Sequence, residues 1–143
     1  MATAHDAEVI LKFYDLRREA VLRKARHFVA FEFAPQSFDE FRALGQASGD
    51  EKNAWWRQVL SYWEMGASLV LSGAVDADLF CDSQAEGLFL YAKFSRFHAE
   101  YLKQAGSPFM PKTAALVEKF PAARAVYDRI VAMISAREAK AKD

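Results

Sequence analysis

The chain carries a single cysteine, Cys81, in 143 residues. A lone thiol cannot form an internal disulfide, so no covalent staple is expected and a reducing, cytoplasmic setting fits. Charge of either sign is not in excess, with 19 basic and 19 acidic side chains. No overall field therefore draws nucleic acid or an anionic membrane to the protein. The longest nearly uncharged run, Met65 to Val75, is about half of the ~20 residues that a membrane-spanning helix needs. The amino terminus, MATAHDAEV, lacks the basic start and apolar stretch of a secretory signal. These absences predict a soluble protein without membrane insertion. Glycine-rich phosphate loops are missing, as is a Gly-x-Ser-x-Gly elbow. No glutamate is followed by histidine three residues later, which removes the usual di-metal bundle pattern. No cofactor and no metal site are expected.

Helical periodicity is what the chain does have, and alternating strand patterns are absent. A hydroxyl followed three residues later by an acid, the pattern of a capping box, occurs at Thr3 and Asp6, Ser37 and Glu40, Ser48 and Glu51, and Ser83 and Glu86. The spacing predicts a first helix from about His5 to Phe33, ended by Pro35, and a short one from Phe38 to about Ala47. A third runs from about Asp50 to Ser72 and stops at Gly73, where a left-handed residue is cheap for glycine. Asp76 then caps a short turn over 77–82. A long helix is expected from Ser83 to Gly106, another from Pro111, with Pro121 breaking it or opening a last one. The tail, 137–143, has no apolar stripe and should fray. The expectation is one all-α domain over 1–143, an irregular bundle of five or six mostly antiparallel helices.

Within this frame Glu64 is the residue that needs explaining. It shares a helix face with Trp56, Leu60, Ala67 and Leu71, where an unpaired carboxylate loses several kcal/mol of solvation. Arg96 is the favoured partner, with Arg57 or backbone amides as alternatives. A general-base role lacks any second group to complete it. His98 and Glu100 leave a helix about 200° apart and cannot converge on one ion. His5, His27 and His98 meet only if the tertiary fold brings them together.

Tyr62-Trp63-Glu64, followed after a gap by Gly73-x-Val75-Asp76-x-x-Leu79, resembles the central pattern of a bacterial family of helical proteins known only as a domain of unknown function. The likeness covers about 54–97. It implies an all-helical domain, treats Glu64, Gly73 and Asp76 as one structural unit, and supplies no activity. Many such relatives carry an amino-terminal membrane segment that this chain is expected to lack.

The leading functional expectation is a non-catalytic domain that binds a protein partner or a second copy of itself. Its basis is an aromatic rim at the adjacent Trp55 and Trp56, which leave their helix about 100° apart. The alternative is a small-molecule binder with an apolar pocket lined by Phe94, Phe97, Trp63 and Tyr101 and a polar contact from Glu64 or Arg96. An enzyme assembled from distant residues ranks third. A contiguous pocket with convergent polar groups favours the second or third, and a broad apolar patch favours the first.

Overall fold

The computed structural model describes all 143 residues, which form nine α-helices and no strand. They are α1 (Ala4–Arg17), α2 (Ala20–His27), α3 (Phe38–Gln46), α4 (Glu51–Leu71), α5 (Ala77–Ser83), α6 (Glu86–Lys93), α7 (His98–Ala105), α8 (Pro111–Lys119) and α9 (Pro121–Ala141). A π-turn over Phe28–Glu32 follows α2, and one 3-10 turn, Ser95–Phe97, joins α6 to α7. The all-α expectation holds, and five or six helices is a correction to nine.

The undercount comes from two long helices that break and from one expected turn that is a helix. At the first break Glu19 leaves helical geometry, and its carboxylate takes the amides of Val21 and Leu22 at 3.0 and 2.8 Å. Those bonds, the Val21 amide foremost, hold the Glu19 carboxyl below its ordinary pKa. They start a new helix where the apolar period alone reads as continuous. The short turn expected over 77–82 is a helix in its own right, α5, ended at Gln84, which is buried and accepts from Arg17 at 3.3 Å. The second long helix breaks at the 3-10 turn, which lets Phe94 and Phe97 both pack on Phe41, with ring centres 5.2 and 4.9 Å apart.

Two expected caps move as well. Asp50, not Ser48, caps α4 through the Lys52 amide, and Ser83 lies inside α5 with its hydroxyl on the Leu79 carbonyl. The last helix continues through 137–141 with exposed side chains, where fraying was expected.

α4 is the axis of the molecule. It packs against α2, α3, α6 and α8, while α6 and α8 also pack against α9. Its buried row of Trp56, Val59, Tyr62, Trp63, Ala67 and Val70 repeats at three- and four-residue spacing, which turns one continuous apolar stripe inward. Phe13 of α1 drops into the notch left by Gly66. The Tyr62 hydroxyl donates to the Phe13 carbonyl, and the two rings stack at 4.2 Å.

Beyond α4 the chain turns at Gly73, where φ is 79°. No atom lies within 4 Å of the site a Cβ would take there, so an alanine meets strain and no clash. Gly73→Ala should therefore cost about 1 kcal/mol in urea unfolding, and a neutral result would remove the left-handed stop. Asp76 next caps α5 through the Leu79 amide at 2.9 Å, and its own amide donates to Asp6 at 3.1 Å. Asp6 also closes the capping box of α1, accepting from the Thr3 amide at 2.6 Å and the Thr3 hydroxyl at 2.8 Å.

The Thr3 amide, then the Thr3 hydroxyl, hold the Asp6 carboxyl below its ordinary pKa. Being depressed in the folded state, this group contributes stability that is present above the unfolded value of about 4 and lost as pH falls through the folded one. Asp6→Asn should lower stability at neutral pH and flatten the acid limb of a pH–stability curve. An unchanged acid limb would show that the group does not titrate with folding.

Candidate functional site

Glu64 projects from the middle of α4 onto the start of α8. One carboxylate oxygen accepts from the Lys112 amide at 3.0 Å, the other from the Thr113 amide and hydroxyl, each at 2.9 Å. Its partner is thus a helix terminus and not Arg96, which corrects the favoured pairing. Arg96 instead donates to the carbonyl of buried Pro35, with its guanidinium over the Phe97 ring. Beside it Lys93, which sequence reasoning passed over, donates to the carbonyls of Val29, Ala30 and Phe33 at 2.8, 3.0 and 2.6 Å. Burial lowers this ammonium to a pKa of about 8. Lys93 and Arg96 together tie off the carbonyls at the end of the π-turn.

The residues of the expected pocket are split between sites. Phe94 and Phe97 border, with Arg96, a smaller cleft beside Pro35 and the last helix, Trp63 is sealed in the core, and Tyr101 and Glu64 line the main cleft. The main cleft, about 740 Å³, opens instead between α3, α4, α7 and the segment 109–111. Phe41, Trp56, Leu60, Tyr101 and Phe109 give it an apolar wall, and Arg42, Arg57, Ser61, Glu64 and Gln104 give it a polar one. A size of this order suits a small organic molecule.

The wall is built with care on the α3–α4 side. Asn53, buried and unremarked in the sequence reading, donates to the Leu44 carbonyl at the end of α3 at 2.7 Å. Its oxygen accepts from Arg57 Nε at 3.0 Å. One amide thus fixes α3 against α4 and orients the Arg57 side chain. Arg42 of α3 reaches Gln104 of α7 at 3.0 Å, a hydrogen bond that links the two helices bounding the cleft.

At Gly45 the missing side chain leaves Trp56 Nε1 uncovered. The place a Cβ would occupy lies 3.7 Å from that nitrogen, and both residues line the cleft. The indole N–H donates to no group of the chain, and it is not among the sealed-off orphans, which are Trp63 Nε1 and His98 Nε2. It is a donor open to the cleft.

Trp55 and Trp56, expected as a rim, lie in different settings. Trp56 is 6% exposed and packs edge-on to Phe41 and Phe94, so it is a wall of the cleft and not an outer rim. Trp55 is half-buried against Phe28, with the Lys24 ammonium 5.1 Å from its ring centre. Ordinary packing explains both.

The other reactive side chains have structural surroundings. Cys81 is buried, and desolvation with the charges of Asp78 and Asp76 raises its thiol to about 11, which removes the thiolate that nucleophilic chemistry needs. His98 packs against Tyr91 with ring centres 4.2 Å apart and planes tilted by 39°, and desolvation lowers its pKa, which favours the neutral imidazole. His5, His27 and His98 stand on α1, α2 and α7, and no three of the chain's histidine, cysteine and acidic side chains gather as a metal site. No helix is long and apolar enough to cross a membrane.

Fold and cleft together define an all-helical domain with an aromatic side cleft. The chain belongs to the DUF4760 family, described as a domain of unknown function, whose model matches residues 2–120. Neither the curated proteins nor the solved structures provide a match.

Proposed function

We propose that the protein binds a small, largely apolar molecule in the cleft between α3, α4 and α7. The observation that carries this reading is the Trp56 indole N–H, which stands uncovered at Gly45 in an otherwise apolar wall. A polar group in such a wall fixes the orientation of a ligand whose binding comes mainly from apolar contact. No catalytic set accompanies it, so the reading is binding without chemistry.

The neutral dye N-phenylnaphthylamine tests this, because its fluorescence rises on leaving water. The wild-type protein should give a saturable rise. Gly45→Leu places a branched side chain over Trp56 while improving the helix propensity of α3, and should weaken the dye about tenfold or more, the equivalent of 1.4 kcal/mol or above. Equal binding by wild type and Gly45→Leu would overturn the cleft.

An interaction domain working through a partner or a second copy is less well supported. Its sequence basis was the tryptophan pair, and packing already accounts for Trp56 and for most of Trp55.

A further inference from the structure

The polar groups of the cleft fall into two sets that are not equally occupied. The acceptors are already engaged: both oxygens of Glu64 hold the start of α8, and Gln104 Oε1 accepts from Arg42. Among the donors, Arg42 is spent on Gln104, Gln104 Nε2 on Glu100 and the Ser61 hydroxyl on the Gln58 carbonyl, at 3.0, 3.1 and 3.1 Å. Two others are not spent. Arg57 uses only Nε, toward Asn53, which leaves its two terminal nitrogens and its full charge unpaired by any carboxylate. Trp56 Nε1 adds a neutral donor.

From this imbalance we infer that the ligand is an organic anion, an apolar ring or chain bearing a carboxylate or sulfonate that Arg57 and Trp56 receive. The inference rests on the cleft reading above and adds the chemistry of the ligand's head. A cationic ligand meets Arg57, and the one carboxylate of the cleft, Glu64, has both oxygens already bonded at the start of α8. A purely apolar ligand leaves the Trp56 N–H stripped of water with nothing to accept it. An anion satisfies both groups, and a guanidinium beside a low-dielectric wall is a stronger partner for it than one in open solvent. Asn53 acts here as the positioning residue, because its grip on Nε leaves the terminal nitrogens of Arg57 free. Fatty and aromatic acids share this chemistry, and decanoate and naphthoate as competitors separate the two.

The test compares anilinonaphthalene sulfonate with its neutral counterpart, N-phenylnaphthylamine, which has the same rings without the anion. Arg57 is exposed and Trp56→Phe keeps a ring in the wall, so Arg57→Gln and Trp56→Phe should both fold, which a thermal melt verifies. Arg57→Gln should weaken the sulfonate about tenfold, the scale of one lost charge-assisted contact, and leave the neutral dye unchanged. Arg57→Lys should recover part of the loss, and added salt should weaken the sulfonate alone. If Gly45→Leu blocks both dyes while Arg57→Gln affects them equally or not at all, the anion is overturned and the cleft stands. If Gly45→Leu affects neither dye, both readings fall together.

Discussion

Gly66→Ala is expected to destabilise the protein by about 2–3 kcal/mol, even though alanine is the better helix former by about 1 kcal/mol. A Cβ at this position stands 2.7 Å from Phe13 Cζ and 2.9 Å from Phe80 Cζ, both well inside contact distance. Neither ring has room to retreat. Phe13 is stacked on Tyr62 at 4.2 Å, set edge-on to Trp63 at 5.6 Å, and tied through its carbonyl to the Tyr62 hydroxyl. Phe80 is 5% exposed and lies against the same Phe13 ring. Relief thus requires α1 or α5 to shift as a whole, which loosens the burial of Ile10 and Phe13 together. Urea unfolding of Gly66→Ala measures the effect, and combining it with Phe13→Leu should recover part of it, since the two sites share one volume. A neutral or stabilised Gly66→Ala would show that Phe13 is not held in the notch, and the docking of α1 would need another account.

The residues that make Gly66 decisive were half legible. Its place on the face with Tyr62, Trp63 and Val70 is a matter of helical period, and the extent of α4 follows from the same pattern. What sits over Gly66 depends on how α1 and α5 cross α4, and period carries no information about crossing. The breaks in the two long helices were hidden for a related reason. Glu19 starts α2 by accepting backbone amides, and the 3-10 turn at 95–97 follows from where Phe94 and Phe97 find space around Phe41; neither interrupts the apolar stripe. Swinging α7 away at that turn is what creates the cleft, so the cleft was not readable before the fold. Lys93 was overlooked because its partners are carbonyls, which every residue has. The partner of Glu64 had the same anonymity, but it also left a trace. Pro111 opens a helix, and the residue before it, Met110, cannot cap one. A helix start with no local cap calls for an acceptor from elsewhere in the chain, and Glu64 was the unexplained acceptor.

That pairing sets the second large effect: Glu64→Ala should lose about 2–3 kcal/mol, combining a lost helix cap with a lost anion at a helix start. Pro111, as the first residue of α8, has no N–H to satisfy, so the first orphan donors are the amides of Lys112 and Thr113. Glu64 accepts from both. Nothing local replaces it, because Met110 holds a left-handed conformation with φ at 46° and offers no side-chain cap. A left-handed non-glycine residue costs about 1–2 kcal/mol. The Glu64 bonds on its far side help offset that strain, and burial of the Met110 side chain, 3% exposed, does the rest. Glu64→Gln keeps one acceptor and should lose less than half as much, while Thr113→Val removes the hydroxyl bond alone and should cost about 1 kcal/mol. The two sites should be coupled in a double-mutant cycle. Glu64→Ala and Arg96→Ala should instead add within about 0.5 kcal/mol, as separate sites do, because Arg96 binds the Pro35 carbonyl. A loss below about 0.5 kcal/mol for Glu64→Ala is what a solvated surface carboxylate gives. That outcome would mean α8 starts without help from α4.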